Sequence, residues 1–361
     1  MVIDIDGHVF EPASIWPEYL PKKYHDRMPR IVKDRRGTDR YELYGRLFPT
    51  PEGPGQWQPE GVTEAMCKRP GGTDPQARLK DMDSEGIDVA VLYGTMALGF
   101  PMFPDPDFGF AVIRAYHDWL ADYCKAAPRR LKGVAALPLL LIPQALAEAR
   151  RCVEELGFVA LMIGSHVAGQ NADHPSYDPV YRLAEELDVP CGVHIAAGLC
   201  GADRFTDQYG LSHVVGGPFE GMLNSTAVLG NGLLERHRRL RIAILESGSG
   251  WLPSLLDRMD EHFEHRRDEF RCTVKPSEMA RCGRFFVGVE SEEREVTAAI
   301  RAIGAENLLW ASDYPHWDSV FPGGVRMLRE RRDIEPSAVT KLLEGNAVRY
   351  LGAGAKLAQA D

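Results

Sequence analysis

Short apolar runs alternate with longer stretches of helical period along almost the whole chain. Eight runs read as strands: Val2–Asp6, Asp88–Tyr93, Leu131–Leu137, Phe158–Ile163, Pro190–His194, Arg241–Leu245, Arg284–Val289 and Asn307–Ala311. Most are continuous apolar stretches, the pattern of strands covered on both faces. Between them, Ile142, Ala145, Leu146, Ala149, Cys152, Val153 and Leu156 fall on one helical stripe. The same spacing recurs from Trp251 to Met259 and from Ala338 to Val348. Pro143 stands early in the first of these helices and Gly157 just past its end, the usual punctuation. Strand–helix alternation predicts an α/β fold with a parallel sheet, and eight units predict closure into a single (β/α)8 barrel over 1–361.

Two segments exceed a minimal barrel. Residues 9–75 form a long insertion after strand 1, rich in Pro and Gly around Pro49–Pro59 and Pro70–Pro75. It belongs at the C-terminal face, where barrel active sites form, as a lid or as a dimer contact. The stretch Ala196–Gly217 after strand 5 carries several glycines with Arg204 and His213, and is expected to be a loop that closes over a ligand.

Composition narrows the class. With 361 residues, 44% hydrophobic and 26% charged, the chain can bury a sizeable core. A net charge of −10 argues against nucleic acid as a partner. The 7 cysteines include no C-x-x-C pair and are odd in number, which suits reduced thiols and a cytoplasmic address. The opening MVIDIDGH does not read as a signal peptide. The longest apolar run, Val134–Pro143, is too short for a membrane span.

The candidate chemistry lies at the strand ends. Strand 1 ends in Asp4-Ile5-Asp6-Gly7-His8, followed by Glu11; at period two, Asp4, Asp6 and His8 are expected to share a face. A carboxylate and an imidazole two residues apart can reach one metal ion, although Asp-x-His alone is more often structural. His194 ends strand 5, Glu246 ends strand 6 and Asp313 follows strand 8. Charged groups buried together need a partner, and a shared metal is the simplest one.

These residues, with Glu246-Ser-Gly-Ser-Gly-Trp251-Leu-Pro253, Ser312-Asp313-Tyr-Pro-His316 and Gly345-Asn346-Ala347, resemble the amidohydrolase superfamily. The nearest branch holds aminocarboxymuconate-semialdehyde decarboxylase and decarboxylases of hydroxylated aromatic acids, with some hydrolases and hydratases. The resemblance implies one metal held by Asp6, His8, His194 and Asp313, with Asp313 and Glu246 as catalytic acid or base. Two positions depart from the family's pattern: Asp6 replaces a His or Glu, and Glu246 stands where a His is common. Binuclear members carry a lysine on strand 4, but Phe158–Ser165 has none, so one ion is expected. Mixed His and carboxylate ligands suit Zn²⁺ first and Mn²⁺ next.

His166, His213 and His316 are candidate substrate contacts. Trp251 and Pro253 read as turn-shaping, Glu290 as facing the site or capping the next helix, and Gly248-Ser-Gly250 is too short for a phosphate cradle. The leading functional expectation is metal-dependent decarboxylation of a small carboxylated cyclic or aromatic compound. Hydrolysis of a lactone, amide or activated C–C bond in the same site is the alternative. A non-catalytic, ligand-binding barrel would not need ligand-type side chains at four strand ends. The resemblance also implies a homodimer.

Overall fold

The computed structural model describes residues 1–48, 50–51, 61–100, 103–195, 201, 204–205, 208–352, 355 and 357. In chain order the strands are β1 (Ile3–Val9), β2 (Arg30–Lys33), β3 (Asp39–Leu43), β4 (Arg46–Phe48), β5 (Val89–Gly94) and β6 (Leu131–Ala136). They continue with β7 (Ala160–Gly164), β8 (Cys191–His194), β9 (Ile242–Leu245), β10 (Phe285–Val289) and β11 (Leu308–Trp310). An 8-stranded sheet runs β1-β5-β6-β7-β8-β9-β10-β11, every neighbouring pair parallel. The ring closes where β11 leaves the sheet: Asp313 N–H donates to Asp6 O at 2.9 Å and His8 N–H to Tyr314 O at 2.6 Å. The fold is the expected (β/α)8 barrel.

All eight barrel strands are buried throughout, because helices cover their outer faces and side chains fill the interior. The helix Ile142–Glu154 begins with proline in its first turn and buries Ala145, Ala149 and Cys152, as the stripe predicts. The final stripe is segmented: helix Pro336–Thr340, a wider-wound turn Lys341–Gly345, then helix Asn346–Leu351.

The insertion carries structure of its own. Strands β2, β3 and β4 pair antiparallel into a small sheet, and helix Val62–Lys68 leads back to the barrel. Most of the Pro- and Gly-rich run at Pro49–Pro59 lies outside the described residues. The expected loop Ala196–Gly217 is corrected. Residues 196–200, 202–203 and 206–207 lie outside the described residues, and from Tyr209 onward the chain is a 22-residue helix, Tyr209–Gly230. Its glycines and the internal Pro218 disguise it, since both weaken helix propensity.

Candidate active site

Asp6 and His8 arrive on β1, but their expected companion Asp4 does not. The register between β1 and β5 is irregular between Asp4 and Gly7, which breaks strict alternation. Asp4 accepts hydrogen bonds from Ser312 N (2.9 Å) and Ser312 Oγ (2.6 Å), so it anchors the segment after β11. Gly7 is required here, because a Cβ would stand 2.7 Å from Asp4 Oδ2 and 2.4 Å from Arg78 Nη2. Buried Arg78 donates to the His8 carbonyl at 2.8 Å and lies over the Tyr314 ring, joining β1 to the same segment.

Five side chains converge at the C-terminal mouth. His8 Nε2 lies 3.4 Å from Asp6 Oδ1, 3.3 Å from Asp313 Oδ1 and 3.7 Å from Glu246 Oε2. His194 Nε2 lies 3.4 Å from Asp6 Oδ1, 3.1 Å from Glu246 Oε2 and 3.2 Å from His8 Nε2. The other His194 nitrogen, Nδ1, faces Ile195 O at 2.9 Å and fixes the ring so that Nε2 points inward. Glu246 and Asp313, just past β9 and β11, adopt left-handed backbone conformations (φ 50° and 53°). Such conformations are uncommon and costly for residues other than glycine, and they concentrate at functional sites.

The electrostatics show what the cluster lacks. Burial works to raise the Asp6 carboxyl, but His194 and His8 outweigh it and hold it at about 2. Burial lowers His8 to about 4. Burial also opposes the charge on His194, yet Asp6 and Glu246 carry it up to about 9. Burial pushes Glu246 up to about 8. Burial, followed by repulsion from Glu246, Asp318, Glu290 and Asp6, pushes Asp313 well above the usual carboxylate range. Asp6 Oδ1, Glu246 Oε2 and Asp313 Oδ1 are buried and accept no aligned hydrogen bond, although imidazole nitrogens stand 2.8 to 3.4 Å from them. Unsatisfied buried carboxylate oxygens are expensive, and a cation among them removes the cost. The donor set therefore fits a divalent metal.

A cavity of about 210 Å³ opens beside the cluster, its wall including Glu246, His213, Asp318 and His316. His316 Nδ1 lies 2.8 Å from Asp313 Oδ1, and its Nε2 faces Thr95 Oγ1 at 2.9 Å. His213, on helix Tyr209–Gly230, faces Asp318 at 3.7 Å. His166 is not among the residues lining that cavity; it meets Glu220 of that helix at 3.3 Å, and this contact raises its pKa. Trp251 donates to Ser247 O within its turn, and Ser249 is tied to Glu293, so Gly248-Ser-Gly250 is a braced turn. The backbone N–H of Glu290 also donates to Glu293, and burial raises the Glu290 carboxyl well above its usual range.

Some of the wall carried no sequence signal. Phe10, Met96, Arg69 and Trp317 line the cavity with Thr95. Arg69 donates to Ser319 Oγ at 3.2 Å and lies over Tyr314 and Phe321. Glu11 is fully buried and accepts from Met96 N and Ala97 N, each at 2.9 Å, so it shapes the turn that presents Thr95.

The chain belongs to the amidohydrolase family, whose description matches residues 3–353. It is therefore an enzyme of the lyase or hydrolase kind. It is 26% identical over 281 residues, 77% of each chain, to 2-amino-3-carboxymuconate-6-semialdehyde decarboxylase of Dictyostelium discoideum. It is 32% identical over 260 residues, 66% of this chain and 76% of the relative, to gamma-resorcylate decarboxylase of Rhizobium radiobacter. A solved dihydroxybenzoic acid decarboxylase from Polaromonas sp. JS666, with bound manganese and the inhibitor 2-nitroresorcinol, shares the fold. It matches with a TM-score of 0.68 and 20% identity over 97% of this chain and 96% of that one.

Proposed function

We propose that this enzyme is a metal-dependent decarboxylase of a small carboxylated aromatic acid. The observation that carries this reading is the convergence of three buried carboxylate oxygens, none accepting an aligned hydrogen bond, with His8 and His194 beside a cavity of aromatic size. Asp6, His8, His194 and Asp313 would hold one divalent ion. When bound, that ion supplies Lewis-acid polarisation and a template for the substrate's oxygens.

The remaining work belongs to side chains. Phe10, Met96 and Trp317 give the cavity apolar walls against a ring, and His213 and His316 are the substrate contacts. While no ion is bound, burial raises the Asp313 carboxyl well above its usual range; Asp313 would carry a solvent proton to the substrate, and His316, held by Thr95, faces that carboxyl. Asp313 passes the proton to the ring carbon bearing the carboxylate. The ring–carboxylate bond then breaks, its electron pair restores the aromatic ring, and carbon dioxide leaves. Solvent reprotonates Asp313. The decarboxylases among the relatives support this reading over hydrolysis.

The test is incubation with hydroxylated benzoic acids in deuterated water. Carbon dioxide release with one deuterium on the product ring is the expected result. Solvent oxygen-18 appearing in a new carboxylate would instead assign hydrolysis.

A homodimer and a cytoplasmic address complete the proposal. Leu211, Val214, Phe219 and Leu223 are exposed apolar side chains on helix Tyr209–Gly230, which supports association with a second copy. Insertion residues Phe48, Val62, Ala65 and Met66 line the cavity, which supports the lid role for 9–75. Cys67, Cys124, Cys152, Cys191, Cys272 and Cys282 are free thiols, and no described helix is long and apolar enough to cross a membrane.

A further inference from the structure

We propose that Glu246 is a fifth protein ligand of the metal, giving a centre of two imidazoles and three carboxylates. The inference rests on the metal-site reading above. Ligand atoms roughly 2.1 Å from one ion stand about 3.0 Å apart at octahedral angles and about 3.4 Å apart at tetrahedral ones. The pairs that define the site by family pattern are spaced 3.2 to 3.4 Å: His8–His194, His8–Asp313, His8–Asp6 and His194–Asp6. Glu246 Oε2 lies 3.1 Å from His194 Nε2, closer than any of these, and 3.7 Å from His8 Nε2. Its oxygen also groups within 4.8 Å of ligand-type atoms of His8, Asp313 and His316, as those of Asp6, His8 and His194 group with one another.

Two further observations agree. Glu246 Oε2 is buried and accepts no aligned hydrogen bond, like the oxygens of Asp6 and Asp313. The backbone holds Glu246 at φ 50°, the same left-handed turn that presents Asp313 (φ 53°), so both carboxylates leave their strands in the same way. Five donors, three of them oxygens, suit a six-coordinate ion such as manganese better than four-coordinate zinc.

The experiment counts waters on the ion in the full-length protein loaded with Mn²⁺, by line broadening of its EPR spectrum in ¹⁷O-water. Five protein ligands predict at most one water in the wild type and one more in Glu246→Ala. Mn²⁺ affinity, measured by chelator competition, is expected to fall at least about tenfold in Glu246→Ala. Glu246→Gln, which keeps an oxygen donor and the shape, is expected to lose less. Two or more waters on the wild-type ion would overturn the inference, as would Mn²⁺ affinity within twofold of wild type in both variants. The wild-type water count decides the matter even where a variant fails to fold. A wild type that takes up no Mn²⁺ would overturn the metal-site reading itself.

Discussion

The barrel mouth and the helical shell both bury histidine beside carboxylate, and they differ in what answers the negative charge. In the shell, His117 Nδ1 lies 2.9 Å from Glu148 Oε1 and 3.3 Å from Cys152 Sγ. Arg151 donates to Glu148 from Nη2 (2.6 Å) and Nε (3.0 Å), and Arg114 stands 3.4 Å from its other side. Burial opposes the charge on Glu148, yet His117 and Arg151 hold its carboxyl at about 2. Burial also pushes the Cys152 thiol far above its usual range. At the mouth the groups facing the carboxylates are imidazoles, of which burial lowers His8 to about 4 and His316 well below its usual range, and three carboxylate oxygens accept no aligned hydrogen bond. Residue types are nearly the same in both places. A guanidinium answers the carboxylate charge in one cluster, whereas in the other the proposed ion would do so.

Four outcomes sharpen or break that contrast. The largest falls on catalysis at the mouth: Asp313→Asn should lower the rate of carbon dioxide release by about a thousandfold while the circular dichroism spectrum stays native. In the shell, Glu148→Gln should cost about 3 kcal/mol in urea unfolding, because it leaves buried partners without their charge, and it should leave metal content unchanged. Loss of metal in that variant would merge the two regions.

The acid limb of stability offers a finer test. The Glu148 pKa is depressed on folding, so its contribution is complete above its ordinary value of 4.5 and is lost as pH falls toward about 2. Wild-type stability should therefore drop more steeply across that window than that of Glu148→Gln, as read by urea midpoints at successive pH values. The smallest effect is expected at the mouth's rim. Thr95→Val removes one hydrogen bond to His316, worth about 1 kcal/mol, and should lower turnover about fivefold with metal content intact.

Much of the barrel was legible because its strands are continuous apolar runs, and each of the eight lies within a few residues of its expected place. The insertion's small sheet was not, since segments such as Arg30–Lys33 and Asp39–Leu43 are short and carry charges that mask alternation. Helix Tyr209–Gly230 hid behind glycine and proline. The five converging residues were each readable at a strand end, because barrel geometry sends all strand ends to one face. Asp4 was misjudged because the periodicity rule assumes a regular register, and β1 departs from it. Thr95, Arg69 and the His117–Glu148–Cys152 group depend on contacts between distant segments, which local pattern does not carry.

The most direct test of the central claim is elemental analysis of wild type, His8→Ala and Glu148→Gln purified side by side without chelators. About one divalent ion per chain is expected in wild type and Glu148→Gln, and little in His8→Ala. A metal-free wild type after supplementation, or an unchanged content in His8→Ala, would contradict it.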